Sequence, residues 1–278
     1  MRVGRIPYIN CFPVYGAIDR GIVSLEGELV TGIPSLLNAR MAAGQLDISV
    51  VSAVEYARDA ARYLLLPDLA ISCNGPVRSV MLFSRRPASE LGGRRVMLSR
   101  SSMTSVALLE LLFDEVWKAR PEFSPGDAEM ADLDAFARDE HDARLVIGDA
   151  ALLLQARGGT DGRPAYPYVY DLGEEWGRWT GHPFVFAVWV AQRATPPREA
   201  LTTHAALLTS RDWGLQHLEE LSEQAAAQTG VPATECRRYL EGLDYGLGLP
   251  YLAGLSEFFG RLSAAGKVPS TTLQFLAA

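Results

Sequence analysis

Short apolar runs rich in Val and Ile alternate along the chain with stretches in which apolar residues recur every three or four positions, the pattern of an α/β architecture. The runs at 2–6, 48–51, 69–73, 80–84, 95–98, 145–147 and 184–189 predict strands. Between them, 35–41 and 105–113 repeat apolar residues at helical spacing. From about residue 198 the pattern is almost wholly helical, with breaks near Gly230-Val231-Pro232 and between Gly246 and Pro250. Polar, Gly- and Pro-rich connectors mark linkers, so 85–87 and 91–94 suggest one domain boundary. The apolar strand at 184–192 suggests a second crossing that carries the chain back. The expected plan is a discontinuous first lobe, residues 1–87 plus 190–278, around an inserted second lobe, residues 88–189. Two lobes joined by two crossings leave a cleft at the hinge, a favoured small-molecule site that closes around its ligand.

Composition narrows the function. The 278 residues suffice for one large or two medium domains with a substantial core. A net charge of −7, with Lys and Arg scattered, argues against a nucleic-acid footprint. Cys11, Cys73 and Cys236 are far apart, with no CxxC pair and no His at metal spacing, so they read as small buried hydrophobes in a reducing compartment. No stretch approaches the ~18 apolar residues of a membrane span and no export signal is visible, so cytoplasmic residence is expected. The oligomeric state is left open.

Candidate chemistry lies in loops between strands and helices. Residues 5–15, Arg-Ile-Pro-Tyr-Ile-Asn-Cys-Phe-Pro-Val-Tyr, place Asn10 in a Pro-bracketed loop after the first strand, where α/β folds bind ligands. Its side chain offers both a donor and an acceptor. Residues 99–105, Ser-Arg-Ser-Ser-Met-Thr-Ser, lie between a strand and a helix, so Ser101, Ser102, Thr104 and Ser105 can converge on an anion; helix capping by Ser101 or Ser102 is compatible with that role. Ser79 follows the turn 74–78 beside the hinge. Asp149, after Ile147-Gly148, either caps a helix or faces the cleft, and Thr180 and Gly181 are placed to add donors before the return strand. His182 reads as a loop-surface residue, while Asp47, Glu55 and Asp171 lack a visible partner for paired acid/base work. No phosphate-binding loop, nucleophile elbow or HExxH pair is present, and Gly158-Gly159-Thr160-Asp161-Gly162 lacks the flanking strand a phosphate loop requires. The reaction is therefore expected to need no nucleotide, metal or other cofactor.

Six ordered blocks carry a resemblance. They are residues 5–15, 47–56 with Ser52, 73–80, 103–106, 146–152, and 171–187 with Thr180-Gly181-His182-Pro183-Phe184. Together they resemble the chorismate dehydratase family, the first committed enzymes of the futalosine route to menaquinone. The matching blocks end near residue 193. The resemblance implies a type II periplasmic-binding-protein-like fold, a dianionic small-molecule substrate and a pocket lined by Asn10 and Ser79, with Ser52 among the binding residues. It implies dehydration of chorismate to 3-[(1-carboxyvinyl)oxy]benzoate; because the sequence shows no clear base, the substrate's own enolpyruvyl carboxylate is expected to take the proton. Three rivals are 1,4-dihydroxy-6-naphthoate synthase of the same pathway, prephenate or arogenate dehydratase, and a non-catalytic solute-binding protein.

Overall fold

A computed structural model of the protein describes residues 1–127, 140–157 and 166–277, so the Gly-rich loop at 158–162 lies outside the described residues. The strands assemble into two five-stranded sheets. The first holds β1 (Arg2–Arg5), β2 (Glu28–Thr31), β3 (Ile48–Ser52), β4 (Tyr63–Cys73) and β10 (Phe184–Gln192), in the order β2-β1-β3-β10-β4. The second holds β5 (Val80–Ser84), β6 (Arg95–Ser99), β7 (Glu122–Gly126), β8 (Ala143–Ile147) and β9 (Tyr168–Asp171), in the order β7-β6-β8-β5-β9. Both follow one plan. Strand β1 runs parallel to β2 and β3, as β6 does to β7 and β8, and an antiparallel strand, β10 or β5, then pairs with the last strand. The antiparallel strands are those nearest the crossings. Burial of β3, β5 and β8 on both faces explains why they read as continuous apolar runs.

The lobe boundaries expected at 87/88 and 189/190 differ from this pairing. Strand β5 bonds only within the second sheet and β10 only within the first, so sheet membership changes between Cys73 and Val80 and again between Asp171 and Phe184. The connector at 85–94 is a loop inside the second lobe containing the short turn Ala88–Glu90. Gly and Pro mark an exposed turn as readily as a domain crossing, and the pattern cannot tell them apart.

Strands end in helices that start at the cleft: α1 (Phe12–Asp19), α2 (Pro34–Ala42), α3 (Ala53–Arg58), α4 (Met103–Leu111) and α5 (Asp149–Arg157). Helix α6 (Leu172–Thr180) leads into the return crossing, where the Trp176 indole donates to the Pro183 carbonyl at 3.2 Å. Helices α7 (Pro197–Gln216), α8 (Leu218–Thr229), α9 (Ala233–Glu241) and α10 (Leu249–Ala264) form the C-terminal third. The chain after α9 rejoins β4 through a Ser72–Asp244 bridge, and the chain after α10 does so through a Leu65–Phe275 bridge.

Gly254 on α10 packs against the return crossing so closely that a Cβ there would lie 2.1 Å from the Pro183 carbonyl oxygen. Because that neighbour is backbone, Gly254→Ala is expected to cost about 1–3 kcal/mol, read as a lowered denaturation midpoint.

Candidate functional site

A cavity of about 60 Å³ lies where the two sheets face each other. Asn10, Ser52, Ser79, Ser102 and Ser105 supply its polar wall, and Ile6, Tyr8, Ile71, Val80, Ile147 and Phe186 supply its apolar wall. Small-molecule sites occupy roughly 300 Å³ or more, so the lobes stand closed and must part to admit a ring-sized ligand. No lining side chain carries a charge. Positive potential comes instead from backbone. Pro34 opens α2, Ser102 caps α4, and Gly148 directly precedes α5, so the N-terminal ends of three helices reach the cavity wall. Each such end carries a partial positive charge, offset in part by the Ser102 cap on α4 and by Asp149 at the start of α5.

Asn10 sits in the 3₁₀ turn Ile9–Cys11 that links β1 to α1. Its Oδ1 is buried without a hydrogen-bond partner. Ser79 is buried at the start of β5, and its Oγ accepts a 2.8 Å hydrogen bond from the Tyr239 hydroxyl on α9. The Asn10 side chain lies near the same hydroxyl. Burial pushes the Tyr239 phenol well above its ordinary pKa, so it stays protonated.

The position of Ser79 is set by Asp171. One carboxylate oxygen accepts from the Val77, Gly173 and Glu174 amides at 3.0, 2.9 and 3.1 Å, and the other accepts from Arg78 at 2.6 Å. Asp171 thus caps α6 and holds the first crossing, where Arg78 adopts a left-handed conformation with φ 63°. Burial raises the Asp171 pKa and the four amides oppose that rise.

Besides the Tyr239–Ser79 bond, hydrogen bonds at Ile9, Val54 and Asn38 join the lobes around the cavity. The Ile9 amide donates to Asp149 Oδ1 at 3.2 Å. The Val54 amide, in the first turn of α3, donates to Thr104 Oγ1 at 3.2 Å. Asn38 on α2 is buried, accepts from the Ser52 amide at 3.1 Å, and donates to Ser52 Oγ at 3.1 Å and to Met103 Sδ at 3.3 Å.

A family model described as menaquinone biosynthesis matches residues 1–264. The chain belongs to that family. It is 34% identical over 265 residues to a chorismate dehydratase from Thermus thermophilus, covering 91% of this chain and 94% of the relative. Among solved structures, a protein from Archaeoglobus fulgidus superposes with a TM-score of 0.77 at 20% identity, covering 96% of this chain and 98% of that one. The periplasmic aliphatic sulphonate binding protein SsuA from Escherichia coli superposes with a TM-score of 0.65 at 13% identity, covering 100% and 94%. The fold is the two-lobed periplasmic-binding-protein-like α/β fold with its cleft at the hinge.

Five of the residues singled out from the sequence, Asn10, Ser52, Ser79, Ser102 and Ser105, meet in this cavity. Five others do not line it. Ser101 lies in the loop before α4, where its amide donates to Ser99 Oγ at 3.0 Å. Thr104 faces Val54 in the lobe contact. Asp149 opens α5 and bonds Ile9 across the lobes. Thr180 and Gly181 terminate α6: the Thr180 hydroxyl donates to the Trp176 carbonyl at 2.9 Å, and Gly181 closes the helix with φ 74°. A Gly after an amphipathic segment is a helix stop, and it supplies no donors to the cleft here. Tyr239 and Asn38 were missed. Tyr239 reads as core on an amphipathic helix, whereas Asn38, an amide between the apolar positions Leu37 and Met41, was a usable signal.

Burial pushes Asp149 up to about 6 from an ordinary 3.8, against the opposing Ile9 amide. The folded protein therefore holds a proton that the unfolded chain has lost between those values, and stability falls as pH rises through about 4 to 6. Asp149→Asn keeps an oxygen for Ile9 and removes the buried charge. Thermal unfolding across pH 4–8 is expected to lose this slope, with a gain at pH 7–8 of about 1–3 kcal/mol.

Proposed function

We propose that the protein is a chorismate dehydratase, converting chorismate to 3-[(1-carboxyvinyl)oxy]benzoate by loss of the C3 hydrogen and the C4 hydroxyl. The observation that carries this reading is the 34% identity to the Thermus thermophilus chorismate dehydratase, which spans 94% of that relative. The cavity supports it: an uncharged lining with helix N-termini at its wall suits an organic dianion with a flat ring. The C3–H electron pair becomes the new ring double bond as the C4–O bond breaks, and aromatisation drives the elimination. The lining offers no carboxylate or imidazole as a base. We assign the proton transfer to the substrate's own enolpyruvyl carboxylate, which returns the proton to the departing hydroxide to give water. The protein's part is to hold one conformer in a dry site. Three buried, unpaired cysteines suit a reducing cytoplasm.

The test is incubation of the protein with chorismate alone, followed by chromatography and mass analysis. Loss of one water with the enolpyruvyl ether retained on an aromatic ring is expected. Phenylpyruvate, or chorismate returned intact, would favour the dehydratase rivals, the sister enzyme or a binding protein.

A further inference from the structure

We propose that Tyr239 is a positioning residue for the elimination: it fixes the direction of the hydrogen bond at Ser79, so that Ser79, beside the open acceptor of Asn10, recognises the leaving hydroxyl. This rests on the dehydratase reading of the site.

The argument is one of donors and acceptors. Tyr239 is 1% exposed and does not line the cavity, so its hydroxyl answers to protein groups alone. Its single proton is directed to Ser79 Oγ at 2.8 Å. Ser79 accepts that bond, so its own proton is free to point elsewhere, and its side chain faces the cavity. Asn10 lines the same cavity, and its side chain offers an NH₂ donor and the acceptor Oδ1. Oδ1 is buried and has no partner. A buried polar atom without a partner costs free energy and in a binding site marks the place of a ligand group.

The cavity therefore presents one donor, Ser79 O–H, beside one open acceptor, Asn10 Oδ1. A carboxylate, which only accepts, would face Oδ1 unfavourably. A hydroxyl accepts from Ser79 and donates to Asn10, satisfying both, so the geometry places the C4 hydroxyl of the substrate between them. As the C4–O bond breaks, negative charge grows on that oxygen and the bond from Ser79 strengthens. The bond from Tyr239 polarises the Ser79 donor in the right direction. Tyr239 transfers no proton.

Tyr239→Phe keeps the ring and removes the hydroxyl. The expected result is a kcat lowered about 10- to 100-fold with KM within about 3-fold, because the lost alignment matters most as charge develops. The same change in a Ser79→Ala background is expected to lower kcat less than 2-fold further, since there is then no hydroxyl to orient. Thermal unfolding of each variant separates this from a packing role. A purely structural Tyr239 would lower the unfolding temperature in both backgrounds, slow both equally, and regain its rate on cooling. Either equal slowing in both backgrounds or an unchanged kcat for Tyr239→Phe would overturn the proposal while leaving the dehydratase reading intact. A wild-type protein that does not consume chorismate would overturn both.

Discussion

Ser79→Ala is expected to lower kcat for chorismate by about 10²- to 10³-fold with binding changed only a few-fold, the effect of removing one preorganised donor aimed at developing charge. Only the hydroxyl is lost. The Ser79 carbonyl still accepts from the Gly148 amide at 2.8 Å, so the backbone that joins β5 to the turn before α5 is unchanged. The side chain is small and sits beside open cavity, so the stability cost is set by the buried Tyr239 hydroxyl that loses its acceptor, about 1–3 kcal/mol. Asn10→Ala is expected to behave similarly, since it removes the acceptor that faces the same ligand group. A pre-steady-state measurement with excess enzyme reads the chemical step directly. An unchanged rate for both variants would remove these residues from the reaction.

Asp171→Ala is expected to cause the largest loss of stability, about 3–5 kcal/mol. It leaves four backbone N–H groups at 2.6–3.1 Å without their acceptor, two of them in the first crossing and two at the start of α6. Arg78 loses the bond that offsets its left-handed backbone, and Ser79, the next residue, loses its fixed direction. For a chain of this size the unfolding temperature is expected to drop on the order of 10 °C. Activity measured well below the transition should fall as well, with kcat reduced more than KM is raised. Asp171→Asn retains the three bonds to Oδ1 but sets an NH₂ group against the Arg78 amide, so an intermediate loss is expected. Equal stability of Asp171→Ala and wild type would show that the crossing is held by packing alone.

The legible parts of the site were those written in local sequence. Asn10 lies in a loop between Pro7 and Pro13 after a strand, and the Ser-Met-Thr-Ser run at 102–105 announces a helix start; both are one-dimensional patterns, and Asn10, Ser102 and Ser105 line the cavity. Ser79 was reached through resemblance, and its buried strand start is what the structure adds. The lobe boundaries were not legible, because β5 and β10 are apolar on both faces and carry no mark of which sheet they join. Strand β4 was recognised only over its last residues, since Pro67 and the positive φ of Asp68 interrupt its apolar pattern. Tyr239 was out of reach for a physical reason: it lies 160 residues from Ser79, and a buried tyrosine on an amphipathic helix carries no sign that its hydroxyl meets a distant cleft. Asp171 was seen as an unpartnered carboxylate, and its partners proved to be backbone amides, which no side-chain pattern reveals.

The same closed geometry supplies the most direct test of the account. Crystals of Ser79→Ala grown with chorismate should trap unreacted substrate between the sheets, with its C4 hydroxyl against Asn10 Oδ1 and its carboxylates toward the starts of α2, α4 and α5. Substrate bound outside this cavity, or seated with a carboxylate against Asn10 Oδ1, would contradict the account.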